Sequence, residues 1–205
     1  MTPFTRLTAI AAPLLRDNID TDAIIPSREM KSTGKTGLAD GLFAAWRYLK
    51  AGGRDPDPAF ILNQPYYADA HILLGGSNFG CGSSREHAVW ALAEYGISAV
   101  IAPSFAPIFA GNCTRNGIVP APVPATAIAE IAADGGPVTV DLPSQTVSLA
   151  DGRSWPFEIG GEAKAMLLEG LDAIDLTFKH KADIAAFQAA DRMARPWVYF
   201  GDIIG

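Results

Sequence analysis

Ser83, Ser84 and Arg85 follow directly on the bend Gly75-Gly-Ser-Asn-Phe-Gly-Cys-Gly82, so two hydroxyls and a guanidinium stand together behind a glycine-rich turn. A guanidinium grips a carboxylate through two parallel N–H bonds. A hydroxyl whose alkoxide is stabilised by a neighbouring cation and a helix N-terminus can serve as a general base; for either serine the competing role is a plain helix cap. The group suits a carboxylate or a phosphate. Cys81 lies in the same bend. With His71 or His87 as base it would make a nucleophile, although a cysteine between glycines is more often a small packing residue. His87 reads as structural, one turn inside the expected helix.

Two further polar stretches carry chemical potential. Asp17-Asn-Ile-Asp-Thr-Asp22 places three carboxylates within six residues, either as an Asx-rich turn before a buried Ile24-Ile25 strand or as a functional loop. A calcium loop is excluded, because the glycine and glutamate such a loop needs at its sixth and twelfth positions are absent. Residues 27–37, with Arg28, Lys31 and Lys35, form a polar, glycine-containing segment expected to be a mobile surface loop. It is either solvated or closes over an anion. Gly34-Lys-Thr36 is not a phosphate-binding P-loop, since Glu29 stands where that motif needs its first glycine. Gly80-Cys-Gly82 is no dinucleotide fingerprint either, because Arg85 replaces the third glycine.

The elements that must position these groups follow from hydrophobic periodicity. Ile72-Leu-Leu74 reads as a strand that leads into the bend, and Ala88, Ala91, Leu92 and Tyr95 mark the buried face of a helix after it. Ile97 to Pro103 is the next strand. Strand, helix and strand within this span make a βαβ unit with parallel pairing. An opening strand is expected over 7–15, ending near Pro13, and a helix over 38–49 with Leu42, Phe43, Trp46 and Leu49 on one face. Pro65 breaks a short or irregular segment at 60–68. Ser104 caps a short helix to Gly111 with Phe105, Ile108 and Phe109 inward, before a polar stretch at 112–117. Further along, Ile118-Val119 restarts a strand, and a helix at 125–133 ends at Gly135-Gly136. A meander of strands at 138–140, 146–149 and 155–157 follows, then helices near 161–169 and 181–194 with Leu167, Leu168, Ile184 and Phe187 as core.

The chain has 205 residues, 49% of them hydrophobic, which suits one α/β domain over 1–205 with a single good core. A net charge of −6 and the lack of a basic cluster argue against nucleic acid as partner. No apolar run has membrane-spanning length and no signal-peptide h-region precedes the first strand, so a cytoplasmic protein is expected. Two cysteines, Cys81 and Cys113, and three histidines without ligand spacing give no disulfide framework, no metal site and too few thiolates for an iron–sulfur cluster.

Three segments together resemble a known family. They are Asp17-Asn-Ile-Asp-Thr-Asp-Ala-Ile-Ile-Pro26, Gly80-Cys-Gly-Ser-Ser-Arg-Glu-His-Ala88, and Ile101 to Phe109 with Asn112-Cys113 and Asn116-Gly-Ile-Val-Pro120. The family is that of the 3-isopropylmalate dehydratase small subunits, the separate swivelling domains of the aconitase superfamily. The Trp46-Arg47-Tyr48 segment and the chain length match its bacterial leucine-pathway form. The resemblance implies the swivelling β/β/α fold, here with a central βαβ unit and C-terminal helices. It also implies a division of labour in which a large subunit carries a [4Fe–4S] cluster and this chain binds no cofactor. By motif position, Ser83 would be the alkoxide base and Arg85 the carboxylate clamp; Ser84, Thr21, Asp22, Arg28 and Lys31 would contact the substrate. The 27–37 loop then becomes a substrate-selecting lid. Departures from the pattern are the Ala106-Pro107 pair in a helical segment and the Lys- and Thr-rich loop. The implied reaction interconverts 2-isopropylmalate and 3-isopropylmalate by dehydration and rehydration. A sister hydratase acting on homoaconitate or a methylated maleate, or a carboxylate-binding module without chemistry, are the alternatives.

Overall fold

Ile72–Gly75 and Ala99–Ala102 are buried at every position, the pattern of strands covered on both faces. The structure, a computed structural model, describes residues 1–31 and 34–199; Ser32 and Thr33, within the expected 27–37 loop, lie outside the described residues. In chain order the elements are β1 (Arg6–Leu14), α1 (Thr21–Ile24), α2 (Ala44–Arg47), β2 (Ile72–Gly75), α3 (His87–Tyr95), β3 (Ala99–Ala102), α4 (Pro107–Arg115), β4 (Val119–Pro122), α5 (Ala125–Asp134), β5 (Pro137–Asp141), β6 (Thr146–Leu149), β7 (Ser154–Pro156), α6 (Gly161–Glu169), α7 (Ala173–Phe178) and α8 (Lys181–Ala194). The residues divide into two compact units, Met1–Gly170 and Leu171–Gly205.

The first unit holds one mixed sheet in the order β4-β3-β2-β1-β5-β6-β7. Strands β1 to β4 pair in parallel, as the βαβ pattern requires, and β5 to β7 form the expected antiparallel meander. β1 joins the two halves. Its residues from Ala11 to Leu14 pair with β2, and those from Arg6 to Ile10 pair antiparallel with β5. It runs past Pro13 to Leu14, where Pro13 sits opposite Leu74.

Side-chain alternation along β2 and β3 sorts the core into two layers. Leu73 and Val100 face a cluster that includes Ala88, Val89, Ala91 and Leu92 of α3, Phe109 and Cys113 of α4, and Ile24 of α1. Ile72, Leu74, Ala99 and Ile101 face a second cluster with Ala127, Ile128 and Ile131 of α5, Leu167 of α6 and the inner residues of the meander. Gly135, left-handed at φ 68°, ends α5 as expected.

Several local expectations are corrected. Residues 38–49 do not form one helix. Phe43 is left-handed at φ 49° and donates its N–H to Ile24 O at 2.7 Å, which splits the segment into a 3₁₀ turn at Ala39–Gly41 and the single turn α2. That bend buries the Phe43 ring against Trp46 and Phe60 and leaves Leu49 exposed. Ile24 and Ile25 are buried, but in and after α1 rather than in a strand. α4 starts at Pro107, whose missing N–H costs nothing there, and continues through the stretch read as polar loop; Ile108 is exposed. Ser104 does not cap it, and its hydroxyl accepts from Asn78 N at 2.8 Å instead.

In the second unit, α7 opens on a reciprocal capping box between Asp172 and Asp175. α8 forms over the expected residues but has no buried position; Ile184 is half-buried and Phe187 is exposed. The 3.6-residue stripe was there to read, and nothing local says whether another surface covers it.

Candidate active site

The polar segments after β1 and β2 leave neighbouring parallel strands at the same end, so their chains run side by side. They are laced by backbone bonds: Asn18 N to Ser77 O at 2.8 Å, Gly80 N to Ile19 O at 2.7 Å and Thr21 N to Cys81 O at 2.8 Å. Asp17 adds its carboxylate to Ser77 N at 2.7 Å. The crevice at the carboxyl ends of parallel strands is where α/β sheets place ligands. Two glycines make this approach possible. A Cβ on Gly76 would lie 2.4 Å from Arg16 O, and one on Gly80, at φ 77°, would lie 2.0 Å from the Phe109 ring.

Lacing brings α1 against the Ser83 turn. Asp20 caps α1 through a 2.6 Å bond from Ala23 N, which sets Thr21 at its first position. The buried Thr21 hydroxyl accepts from Ser83 N at 3.0 Å and lies 3.0 Å from Ser83 Oγ. Arg85 Nε donates to the same Oγ at 2.8 Å. The far end of the guanidinium is held by Asp22 Oδ1 at 3.0 Å from Nη2, by Ser27 Oγ at 3.1 Å from Nη1 and by Met30 Sδ at 3.8 Å. Ser27 Oγ also lies 3.4 Å from Asp22 Oδ1.

Ser83, Arg85, Thr21 and Asp22 are therefore gathered as the sequence suggested, but not for the reason first given. α3 begins at His87, and neither Ser83 nor Ser84 caps it. The Ser83 hydroxyl is polarised by Arg85 and Thr21 rather than by the end of a helix. Ser84 is exposed, and its carbonyl accepts from Asn112 Nδ2 at 3.2 Å. Arg28 turns toward Glu29, with Nε 3.3 Å from Oε1, and stays outside the cluster; Lys31 is exposed.

The flanks of the 27–37 segment are tied down by two carboxylates. Glu29 is buried and takes Arg54 Nη2 at 2.6 Å. Burial alone would raise its carboxyl, but the bonds and charge of Arg54 and then Arg28 outweigh that and hold it below the usual carboxylate range. Glu94 on α3 accepts from Gly37 N at 2.7 Å, Leu38 N at 2.5 Å and Ala39 N at 3.0 Å, and the first two of these bonds chiefly lower its carboxyl. Lys35 donates to Asn116 Oδ1 at 3.0 Å and lies over the Trp90 ring. Its described ends are thus fastened more firmly than a solvated loop would be.

The sequence reading gave no individual role to Ser27 or Met30, and it named Asn112 only within the motif that carries the resemblance. Asn112 and Asn116, spaced one helical turn apart, were the available signal; Ser27 gave none.

The donor set does not suit a metal. Among the described residues no group of three or more His, Cys, Asp or Glu could hold an ion. Cys113 is fully buried, and burial pushes its thiol far up, away from the thiolate a cluster needs. His71 Nδ1 is 2.7 Å from Gly96 O at the end of α3, and the His87 ring packs on Trp90.

The Ser83 cluster lies open. Arg85 and Asp22 keep 37% and 60% of their side-chain surface, so charge steering there competes with water. A cavity of about 410 Å³ at the ends of β3 and β4, lined by Pro103, Phe105, Pro120, Pro122 and Ile159 among others, includes none of these residues. Among the described residues no helix is long and apolar enough to cross a membrane.

Comparisons with known proteins bear on the family and the fold. The family model described as the aconitase C-terminal domain matches residues 1–126, and one described as LeuD_N matches 127–161. The 3-isopropylmalate dehydratase small subunit of Cupriavidus necator is 57% identical over 98% of this chain and 99% of its own length. That of Dinoroseobacter shibae is 49% identical over 97% and 100%. The crystal structure of 3-isopropylmalate dehydratase (leuD) from Methanocaldococcus jannaschii superposes with a TM-score of 0.66 at 28% identity, covering 88% of this chain and 98% of that one.

Proposed function

We propose, on the premise that this chain belongs to the 3-isopropylmalate dehydratase small subunits of the aconitase C-terminal domain family, that its Ser83 cluster forms half of a hydro-lyase active site. The chain is the small subunit of that dehydratase, and the reaction interconverts 2-isopropylmalate and 3-isopropylmalate in leucine biosynthesis. The observation that carries the site assignment is Ser83 Oγ held between Arg85 Nε at 2.8 Å and Thr21 Oγ1 at 3.0 Å.

Thr21 Oγ1 already accepts from Ser83 N, so its own proton can point at Ser83 Oγ. A hydroxyl facing a guanidinium N–H and a second hydroxyl has two donors to stabilise its alkoxide. In that form Ser83 removes the proton on the carbon next to a substrate carboxylate. The electrons form the double bond as hydroxide leaves the neighbouring carbon. Rehydration reverses the sequence: hydroxide adds to the other carbon, and Ser83 Oγ returns its proton.

Arg85 bridges this base and the substrate. Its Nε serves Ser83 while its terminal nitrogens take the substrate carboxylate, which competes there with Asp22 and Ser27. Ser84, Arg28 and Lys31 are assigned as further substrate contacts, the last two on the segment that selects the substrate. The whole chain is read as one swivelling domain.

The hydroxyl-accepting half belongs to a large subunit. A [4Fe–4S] cluster there would act as Lewis acid, and among the described residues of this chain no donor group fits one. The complex is assigned to the cytoplasm. Ser83→Ala in the reconstituted complex should lower turnover at least about a hundredfold, the usual contribution of a general base; near-normal turnover would overturn its role. Assaying the complex on homoaconitate and methylated maleates separates the isopropylmalate enzyme from a sister hydratase.

A further inference from the structure

The Ser83 turn is braced from a second side by a residue that bonds to its backbone and to neither the Ser83 nor the Arg85 side chain. Asn112 is only 3% exposed on α4, and its amide is satisfied at both ends. Its Nδ2 donates to the carbonyl of Ser84 at 3.2 Å, and its Oδ1 accepts from Arg115 Nη2. Arg115 also reaches Glu86 Oε1, 3.7 Å from its Nε, at the residue just before α3. The backbone carbonyl of Asn112 accepts from Asn116 Nδ2 at 2.9 Å, which ties the same helix turn to the residue that holds Lys35 and Trp90 Nε1.

The Ser83-Ser84 segment is therefore held between α1 and α4, through the peptide before Ser83 and the peptide after Ser84. On one side Thr21 Oγ1 takes Ser83 N at 3.0 Å. On the other, Asn112 pulls on the Ser84 carbonyl. Ser83 and Arg85 flank Ser84 in the chain, so the bond restrains the backbone from which both functional side chains project. An asparagine is needed because one end of the group must donate and the other accept. Arg115 sets which end is which: a guanidinium can only donate, so Oδ1 faces it and Nδ2 faces the carbonyl.

The geometry points to Asn112, oriented by Arg115, as a positioning residue that aligns Ser83 and Arg85 through the Ser84 carbonyl. The inference rests on the assignment of Ser83 as base and Arg85 as clamp. Its test is Asn112→Asp, which keeps size and shape but puts an acceptor against an acceptor. In the reconstituted complex, kcat should fall about tenfold and KM should rise severalfold, because small misplacements of base and clamp are costly. Circular dichroism and the amount of large subunit bound should stay as in the unaltered complex. A merely structural role would reduce the folded fraction, lowering apparent kcat with KM unchanged.

Should Asn112→Asp not fold, Arg115→Met carries the test, since Arg115 is half exposed and the variant frees the amide to turn. The same joint change in kcat and KM is expected, about threefold in each. Kinetic constants within twofold of the unaltered complex, or a lower kcat with unchanged KM, overturn the proposal. Ser83→Ala is assayed in parallel. If it loses turnover while the Asn112 variant keeps it, the positioning role alone fails; if Ser83→Ala is active, the base assignment fails and this inference falls with it.

Discussion

At the scale of single residues, Arg85 bears the most distinct demands. One planar fork serves Ser83 Oγ, Asp22 Oδ1 and Ser27 Oγ at 2.8, 3.0 and 3.1 Å. A lysine ammonium is a point charge that cannot span those three directions. Arg85→Lys should raise KM for the diacid about tenfold and also lower kcat, because the Nε bond to the base disappears; steady-state kinetics with unchanged KM would count against the clamp. Asp22, expected as a substrate contact, is paired in this arrangement with Arg85. Its carboxylate would repel a substrate carboxylate, and its exposed ion pair adds little stability, but the pair fixes which way the guanidinium faces.

At the scale of elements, the site depends on how closely α4 approaches the bend after β2. Gly80 lies against the Phe109 ring, and Phe109 in turn packs at a tilt against Phe79 with ring centroids 5.5 Å apart. Gly80→Ala would bring a Cβ within 2.0 Å of that ring at a φ of 77°. Overpacking and left-handed strain together should cost about 2 to 4 kcal/mol. Denaturant unfolding of the purified chain measures it, and a loss below about 0.5 kcal/mol would mean that α4 yields easily. The same approach lets Asn112 reach the Ser84 carbonyl, so packing and alignment are supplied by one helix.

At the scale of the whole molecule, the chain presents the proposed base and clamp on an open surface and has no donor set for a metal among its described residues. Such an arrangement asks for a partner that covers it and excludes water. The isolated chain should be free of iron and inactive on isopropylmalate, with turnover appearing only when the large subunit is added. Iron analysis and activity of the separate chain check this, and comparable turnover without a partner would sink the split-site reading. Co-purification with a brown iron–sulfur protein is the matching observation on the assembled enzyme.

Much of this was legible from residues alone. The apolar spacing of Ala88, Ala91 and Leu92 marked the inner face of α3, and the short β-branched runs marked the parallel strands, because both signals repeat with the backbone's own period. The Gly-Cys-Gly-Ser-Ser-Arg string carried the family resemblance. Local pattern failed where a single residue answered to distant contacts. Phe43 leaves helical geometry to bury its ring, and Phe187 sits on a good stripe that nothing in its neighbourhood reports as covered or bare. The sequence by itself determined the chemistry available, a serine, a guanidinium and a threonine-aspartate pair. Only the tertiary structure decided that Thr21 and Ser83, 62 residues apart, share a hydrogen bond and that α4 braces the turn between them. The reason is that parallel pairing of β1 with β2 brings two loops to one sheet end, a consequence of long-range register that no local spacing encodes.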